Sequence, residues 1–250
     1  MKSNKLKNII LVSASILICL MSWEAIVTIF KISPIVLVKP TQILPVIINN
    51  VPLLLSELGF TMTEAFLGWL IGSSIALLTT SVIFSFKKVT KIIISFSIVV
   101  NAVPLIALSA ILGGFIGTDQ NAKTVIVALL CYFPILIVSL TAFTTIDENF
   151  MTLFKTYNSS PLQRFFKLII PHSLPAIFTS LKINVVLAMT TAIVSEFFGA
   201  HGGIGQFILS RKGFYDLPMV WAAIFFTVLG GTLFYGFIGL IQKKFIYHVT

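Results

Sequence analysis

The sequence predicts an all-α integral membrane protein: a six-span helical bundle that forms one domain over residues 1–250 and carries a cytoplasmic helical hairpin between spans 4 and 5. Three observations predict this fold class. Hydrophobic residues make up 57% of the chain, charged residues only 10%, and the mean hydropathy is +1.05, which is more apolar than a soluble domain needs. Apolar runs of spanning length recur along the chain. Basic residues collect in short clusters between these runs.

The predicted spans cover about residues 9–30, 58–84, 91–117, 122–144, 176–198 and 219–241. As a helix, the first span of roughly 22 residues would extend ~33 Å, which is enough to cross the hydrocarbon core of a bilayer. Three lysines precede it, as in a signal peptide, but no A-x-A-like cleavage site follows and its apolar character persists to Phe30. We therefore expect a retained first span.

Lysine and arginine predict the orientation, because both collect in the cytoplasmic segments of membrane proteins. With the N-terminus inside, eleven of the seventeen basic residues lie in cytoplasmic segments and five lie outside, while Lys182 falls near the inner end of the fifth span. This distribution predicts two cytoplasmic termini and accounts for the net charge of +9 without a nucleic-acid partner. The eleven are Lys2, Lys5, Lys7, Lys87, Lys88, Lys91, Lys155, Arg164, Lys167, Lys243 and Lys244.

Residues 147–175 carry the strongest local signals, those of two short helices joined by a defined break. Asn158 can end the first helix in a left-handed conformation. Ser160 is the expected N-cap of the second helix, with Pro161 at its first position and Gln163 completing a capping box. A membrane chain that builds such a hairpin between its spans is expected to present it to a soluble partner. The apolar face of the second helix comprises Leu162, Phe165, Phe166 and Ile169.

Two segments predicted to lie outside also have helical signals. Within residues 31–57 we expect a short helix that begins with Thr41 as its N-cap. Residues 199–218 combine a glycine-rich turn with a short apolar run at 207–209. This combination predicts a re-entrant or interfacial helix that lines a cavity, since irregular backbone at membrane depth must be covered by protein or water.

Three carboxylates lie in or beside the predicted spans, where a buried charge costs several kcal/mol. Glu24 and Glu196 fit interfacial carboxylates in contact with water, and Glu64 fits a charge stabilised by a helix N-terminus. Glu64 and Glu196 also fit a polar lining of the outer half of a translocation path. In the third span, Asn101 and Pro104 predict either a helix broken along such a path or a simple kink.

Glycines four residues apart predict close helix packing, because they remove side chains from one face of a helix. Gly68 and Gly72 have this spacing in the second span, and Gly113 and Gly117 have it in the third. We expect tight contacts with neighbouring helices at both pairs.

The sequence carries no recognisable reaction chemistry, so we expect no catalytic residue, no metal site and no cofactor. It contains no G-x-x-x-x-G-K-[ST] motif for ATP and no C-x-x-C, H-E-x-x-H or G-x-S-x-G motif. Cys19 and Cys131 lie inside apolar runs, which favours single thiols over a disulfide or a metal pair. His172, His201 and His248 are widely separated and fit ordinary loop or interface residues.

The hairpin and the sequence PHSLP that follows it at 171–175 resemble the cytoplasmic EAA-type coupling motif of ABC importer permeases. Nearly the whole chain resembles this family, including PLIALSAILGGFIG at 104–117, CYFPILIVSLTAF at 131–143 and SEFFGAHGGIGQFI at 195–208. The resemblance is closest to the branch that includes sulfonate, nitrate and taurine permeases and those for riboflavin and thiamine-precursor pyrimidines. TEAFLGWLIG at 63–72 favours the riboflavin and pyrimidine group.

The resemblance implies a permease subunit of an ATP-driven importer in the plasma (inner) membrane of a prokaryote, with the ATPase activity on a separate subunit. The expected partners are a cytoplasmic dimer of ATP-binding subunits, a second permease chain in a homodimer, an extracytoplasmic solute-binding protein and the lipid bilayer. The chain is then expected to form the translocation path for a small solute. The path residues expected are Glu64, Asn101, Pro104 and Glu196.

The hairpin departs from the family pattern. Thr152, Leu153 and Phe154 stand where the family has Glu-Ala-Ala, and Asn158 stands where it has glycine. The missing acidic residue puts the usual salt link to the ATPase in doubt, whereas Asn158 can preserve the left-handed turn. The residues expected to couple to the ATPase are Thr152, Leu153, Phe154, Tyr157, Asn158, Ser159, Ser160, Pro161 and Leu162.

Three other classes of protein compete with this interpretation. A secondary transporter without an ATPase partner would predict inverted repeats and charge relays near the midplane, and neither is evident in the sequence. A membrane enzyme would need clustered nucleophiles, acids or metal ligands. A purely structural scaffold gives no reason for a capped hairpin. Co-purification with a soluble ATPase would separate the importer from all three.

Overall fold

The computed structural model describes residues 2–199 and 202–246, and within these ranges every regular element is a helix, as the sequence predicts. A π-helical turn, Phe165–Ile169, joins the α-helix Pro161–Arg164 to the α-helix Ile170–Glu196. The α-helices are α1 Lys2–Ile29, α2 Pro40–Asn49, α3 Val51–Ile83, α4 Lys87–Asn101, α5 Leu105–Ile116, α6 Gln120–Thr144, α7 Glu148–Thr156, α8 Pro161–Arg164, α9 Ile170–Glu196, α10 Ile204–Gly213 and α11 Leu217–Ile246.

Four helical stretches in the described ranges are long and apolar enough to cross a membrane: α3, α6, the stretch from α8 through α9, and α11. They correspond to predicted spans 2, 4, 5 and 6. Helices α4 and α5 together would make a fifth crossing, and α1 contains a shorter apolar helix, Ser13–Ile29. The six-span count therefore stays a prediction.

The predicted third span, about residues 91–117, is broken into α4 and α5, which meet at an angle of 94°. Pro104 explains the break. It lacks the N–H that a helix would use, and it disfavours a helical conformation in the residue before it. The last backbone hydrogen bonds at the end of α4 accordingly come from Ala102 and Val103. Of the two alternatives that the sequence left open here, the structure has the broken helix.

The predicted fifth span, about residues 176–198, begins earlier than expected. A continuous helical stretch of 36 residues runs from Pro161 to Glu196, so the second hairpin helix and the span are one body. Pro171 would normally break an α-helix, because its ring crowds the carbonyl four residues earlier. The π turn just before it widens the helix at that point, with the Ile170 N–H donating to the Phe165 carbonyl five residues back.

Helices α3, α6 and α9 pack together as the centre of the bundle. Gly68 and Gly72 of α3 allow the approach that their spacing predicts: a Cβ at Gly72 would collide with the backbone of Ala128 in α6, and one at Gly68 would lie 2.5 Å from the Cβ of Val127. The second predicted pair behaves differently. Gly113 has no atom within 4 Å of its Cβ position, and Gly117 follows α5 with a φ of 111°.

Helix α2 begins two residues earlier than the sequence predicts, with Lys39 as the N-cap and Pro40 at the first helical position. Pro40 favours this start because its φ is already helical. Thr41, the expected cap, instead donates through its N–H and its hydroxyl to the Glu24 carboxylate at 3.1 and 2.9 Å. These bonds and a contact between Trp23 and Trp221, with ring centroids 4.8 Å apart, hold α1 against the bundle.

Candidate functional site

The hairpin between α6 and α9 has the backbone that its sequence predicts. Asp147 caps α7 by accepting from the Asn149 N–H at 2.9 Å. Asn158 follows this helix with a φ of 52°, in the left-handed region. Ser160 Oγ accepts from the Gln163 N–H at 3.2 Å, and Gln163 Oε1 accepts from the Ser160 N–H at 2.9 Å. The predicted capping box and left-handed turn are therefore confirmed.

The surface of the hairpin is apolar and largely exposed. Leu153 is 50% exposed, Tyr157 is 80% exposed and Leu162 is 69% exposed, while Phe154 is half-buried. A pocket of about 330 Å³ opens between the two short helices. Contiguous exposed apolar side chains are typical of a surface that docks to something else. The pocket is lined by Leu153, Phe154, Tyr157, Ser159, Gln163 and Lys167.

Aromatic packing fixes the base of the hairpin to the bundle. The ring of Phe165, in the π turn, stacks on Phe84 just after α3, with centroids 5.5 Å apart, and meets Phe143 near the end of α6 edge-on at 5.9 Å. Ser173 Oγ also donates to the Ala142 carbonyl at 3.1 Å. The sequence placed Phe165 on an apolar face but did not identify these partners, because they come from two other helices.

A second polar site surrounds the glycine turn that precedes α10. The N–H groups of residues 203, 204 and 205 donate in order to Glu57 Oε2 at 2.8 Å, Thr61 Oγ1 at 2.8 Å and Glu196 Oε2 at 2.6 Å. Side chains of α3 and α9 thus satisfy three of the N–H groups that a helix N-terminus leaves without partners. We call Glu57, Thr61 and Glu196 the turn clamp.

The turn clamp requires glycine in the turn and links its own members. Thr61 Oγ1 donates to Glu196 Oε1 at 2.7 Å, so Glu196 accepts through both carboxylate oxygens. Gly203 has a φ of 110°, and a Cβ there would collide with the Glu196 carboxylate. A Cβ at Gly205 would lie 2.7 Å from Glu196 Oε2. The close approach of the turn to α9 therefore depends on both glycines.

Glu64 and Lys123 complete the site from α3 and α6. Each is 2% exposed, and Glu196 is fully buried. Glu64 Oε2 has no hydrogen-bond donor among the described residues. The side chains of Glu64 and Glu196 are both enclosed by protein in a single copy of the chain. Their expected place in the substrate path stays a prediction.

Sequence reasoning missed Glu57, Thr61 and Lys123. Glu57, Thr61 and Glu64 follow one another at spacings of four and three residues, which places them on one face of α3. That polar stripe is a signal that could have found the first two. Lys123 follows the predicted start of the fourth span by a single residue, so nothing local marks it as buried.

The other two predicted path residues lie at the break between α4 and α5. Asn101 and Pro104 are both exposed, and Asn101 Nδ2 donates to the Ser97 carbonyl of its own helix at 2.8 Å. The structure thus groups Glu64 with Glu196 and leaves Asn101 and Pro104 outside the turn clamp. In the described part of the chain no cluster of three metal-ligating side chains occurs. His172 is exposed, and His201 and His248 lie outside the described residues.

An all-helical bundle with helices long and apolar enough to span a membrane, buried charged residues and an exposed capped hairpin defines a multi-pass membrane protein. The chain belongs to the family of binding-protein-dependent transport system inner membrane components, whose model matches residues 68–247. It is therefore a membrane-spanning ABC transporter permease subunit for small solutes, and members of this family are not themselves enzymes.

Similar proteins extend over most or all of the chain. A probable ABC transporter permease protein of Haemophilus influenzae is 24% identical over 249 residues, which is 100% of both chains. The formylaminopyrimidine transport permease of Halalkalibacterium halodurans is 28% identical over 201 residues and 80% of each chain. A chain in a solved structure of the MetNI methionine ABC transporter, in an inward-facing conformation, matches this chain with a TM-score of 0.67. The two chains are 16% identical in sequence, and the match covers 80% of this chain and 97% of that one. The last match shows a shared fold.

Proposed function

We propose that this chain is the permease of an ATP-driven importer, in which two copies line one path for a small solute delivered by an extracytoplasmic binding protein. In this proposal the hairpin and both termini face the cytoplasm of a prokaryotic cell, and the ATPase activity belongs to a separate dimer of ATP-binding subunits. Family membership supports this arrangement. The single observation that carries it is an exposed, capped hairpin that continues without interruption into a spanning helix.

The hairpin supplies a docking surface for the ATP-binding subunit. Leu153, Phe154, Tyr157 and Leu162 form an apolar patch on two short helices whose relative position is fixed by the Asn158 turn and the Ser160 capping box. Aromatic anchors in such patches supply most of the binding energy. The patch thereby replaces the salt link that an acidic residue at position 152 would make.

The helix from Pro161 to Glu196 transmits movement of the hairpin to the turn clamp. At 1.5 Å per residue its 36 residues extend ~54 Å, and its last residue holds the glycine turn. A displacement of the hairpin by the ATPase therefore reaches the opposite end of the bundle through one continuous helix. Rigid-body movement of this kind is a common way to switch which side of a path is open.

The break between α4 and α5 supplies the path surface in this proposal. Asn101 and Pro104 lie there with exposed side chains, and a non-helical backbone at membrane depth is tolerated where it lines a cavity. Glu196 holds the glycine turn behind this surface, and Glu64, buried on α3, belongs to the same proposed path lining.

The charge pattern of this region favours a riboflavin- or pyrimidine-type solute over an anionic sulfonate, nitrate or taurine. No lysine or arginine occurs between Lys91 and Lys123, so the broken helix offers no fixed cation to an anion. The Halalkalibacterium halodurans relative is described as a formylaminopyrimidine permease, which fits the same solute class. An uncharged heterocycle needs hydrogen-bonding groups such as Asn101 rather than a cation.

The test is co-purification of the ATP-binding subunit with the tagged chain in detergent, where no bilayer remains. Phe154→Ala combined with Tyr157→Ala should lose the partner, because removing two docking aromatics costs on the order of 2 kcal/mol or more. Ser160→Ala should only weaken the association, since losing an N-cap costs roughly 1 kcal/mol.

The matched control removes two other exposed aromatics, Phe214 and Tyr215, which are 81% and 74% exposed at the end of α10. Phe214→Ala with Tyr215→Ala should retain the ATP-binding subunit at the wild-type level. Retention of the subunit by the Phe154 and Tyr157 double variant would identify those aromatics as a membrane-surface anchor and would overturn their coupling role.

A further inference from the structure

Lys182 is a cation without a counter-charge between two membrane-spanning helices. It is half-buried on α9, and its Nζ lies over the ring of Tyr235 on α11, 4.7 Å from the ring centroid. The ring attracts the ammonium group but has no net charge of its own. In the described part of the chain no carboxylate lies within 4.0 Å of Lys182, since the one ion pair there joins Arg211 to Asp216. An uncompensated charge within a membrane-spanning segment marks a candidate binding site.

A second lysine lies on the side of α11 that Lys182 touches. A Cβ at Gly239 would lie 3.9 Å from Lys182 Cε and 4.0 Å from its Nζ, so Lys182 reaches α11 at this residue. Lys243 follows Gly239 by four residues, which places it on the same face about 6 Å further along the helix axis. It is exposed in the last turn of α11, at the end of the apolar stretch. We call this surface, with Lys182, Gly239 and Lys243, the α9–α11 edge.

The side chains around the two lysines are apolar and exposed. Phe178 on α9 stacks on Phe245 on α11, with ring centroids 5.9 Å apart, and Phe245 is 55% exposed. Leu240 is 67% exposed and Ile183 is 65% exposed. Acyl chains solvate such side chains on a membrane-spanning helix, because lipid tails are as apolar as leucine. A ligand that fits the α9–α11 edge is therefore anionic at one end and apolar at the other.

We propose that the α9–α11 edge binds an anionic phospholipid, whose phosphate pairs with Lys182 and Lys243 and whose acyl chains lie along the two helices. Charge complementarity selects the head group, because basic pockets between membrane-spanning helices bind anionic lipid head groups. The exposed apolar side chains select a lipid over free phosphate. The proposal does not depend on the ATPase or on the direction of transport, so its failure would leave the proposed function untouched.

The test measures lipid binding to the full-length chain in a neutral detergent. Native mass spectrometry counts the phosphatidylglycerol molecules bound during a titration. Phosphatidylcholine with the same acyl chains, whose head group has no net charge, is titrated in parallel. The first phosphatidylglycerol should bind more tightly than the first phosphatidylcholine. Inorganic phosphate should displace it no better than sodium chloride of equal ionic strength, which controls for screening.

Lys182→Met and Lys243→Met should each weaken the binding of phosphatidylglycerol roughly fivefold, which is the attraction that one lysine near a membrane surface contributes. Neither variant should change the binding of phosphatidylcholine. Lys182→Arg keeps the positive charge and should retain the wild-type affinity. The matched control is Lys87→Met, which removes an exposed lysine at the start of α4 and should also bind as the wild type does.

Three results would overturn the proposal. Equal losses in Lys87→Met and in the two edge variants would show an effect of overall charge rather than a site. Unchanged binding of phosphatidylglycerol in both edge variants would exclude the two lysines. Specific displacement by inorganic phosphate would assign the edge to free phosphate instead of a lipid. Circular dichroism checks the fold of each variant, and Lys243→Met, at an exposed position, tests the site even if Lys182→Met does not fold.

Discussion

Replacing Gly72 by alanine should loosen the centre of the bundle, because α3 and α6 approach most closely there. An added Cβ at residue 72 would collide with the carbonyl oxygen of Ala128 and would lie 3.0 Å from its carbonyl carbon and 3.1 Å from its Cα. These are backbone atoms of another helix, so no side-chain rotation can relieve the contact. Restoring an ordinary contact of 3.4–4 Å requires the whole of α6 to move away from α3.

The expected magnitude follows from the cost of overpacking a well-packed interior, which is typically about 1–3 kcal/mol. The chain has 250 residues, for which 1 kcal/mol corresponds to roughly 2–4 °C in Tm. Gly72→Ala should therefore lower the Tm of the detergent-solubilised chain by roughly 2–12 °C. Intrinsic tryptophan fluorescence during heating measures this, since Trp69 lies one turn from Gly72 in α3.

Gly59→Ala is the matched control on the same helix. No atom lies within 4 Å of its Cβ position, so alanine adds no clash there and gains helix propensity of about 1 kcal/mol. Its Tm should be unchanged or raised. Equal Tm values for Gly72→Ala and Gly59→Ala would refute the argument that glycine is required by the α3–α6 contact.

Three further predictions test other parts of the account. Thr61→Val should destabilise the chain by about 1–3 kcal/mol, because it leaves the buried Ile204 N–H without a hydrogen-bond partner. The control Thr63→Val loses only a bond to the Gly59 carbonyl of its own helix and should lower the Tm by less. Equal Tm shifts in the two variants would contradict the role of Thr61 in the turn clamp. Asn158→Ala should lower the stability of the hairpin by about 1 kcal/mol, because alanine disfavours the left-handed backbone at this residue, whereas Asn158→Gly should not. Hydrogen exchange of the backbone amides of residues 150–165 measures this. Equal protection in the two variants would contradict a requirement for the left-handed conformation. In sealed cells a membrane-impermeant thiol reagent should modify a cysteine at residue 120 or 213 and should not modify one at residue 88 or 160. Labelling at residue 160 would show that the predicted orientation is wrong.

The hairpin could be predicted from the sequence because its determinants are local. Ser160, Pro161 and Gln163 fix the start of a helix within four residues, and Asn158 fixes the preceding turn two residues earlier. None of these interactions depends on another helix. The same is true of the break at Pro104, whose effect is exerted on the residues next to it.

The turn clamp could not be predicted, because its partners are distant in the chain. Thr61 and Glu196 are 135 residues apart, and Glu57 and Gly203 are 146 apart. The sequence marked Glu64 and Glu196 as costly charges but gave no indication of which groups would satisfy them. The continuity of the helix through Pro171 was missed for a different reason: a π turn relieves the proline locally, and no residue type specifies that turn.

The source of energy for uptake tests the central claim most directly. The solute held by the binding protein is first identified by mass spectrometry. It is then supplied in labelled form, together with the binding protein, to the outside of sealed vesicles that contain the chain and its ATP-binding subunits. With ionophores present to collapse ion gradients, uptake should require ATP inside the vesicles and should be lost in the Phe154→Ala, Tyr157→Ala variant. Uptake that persists without ATP and instead follows an imposed ion gradient would contradict the importer and would identify a secondary transporter.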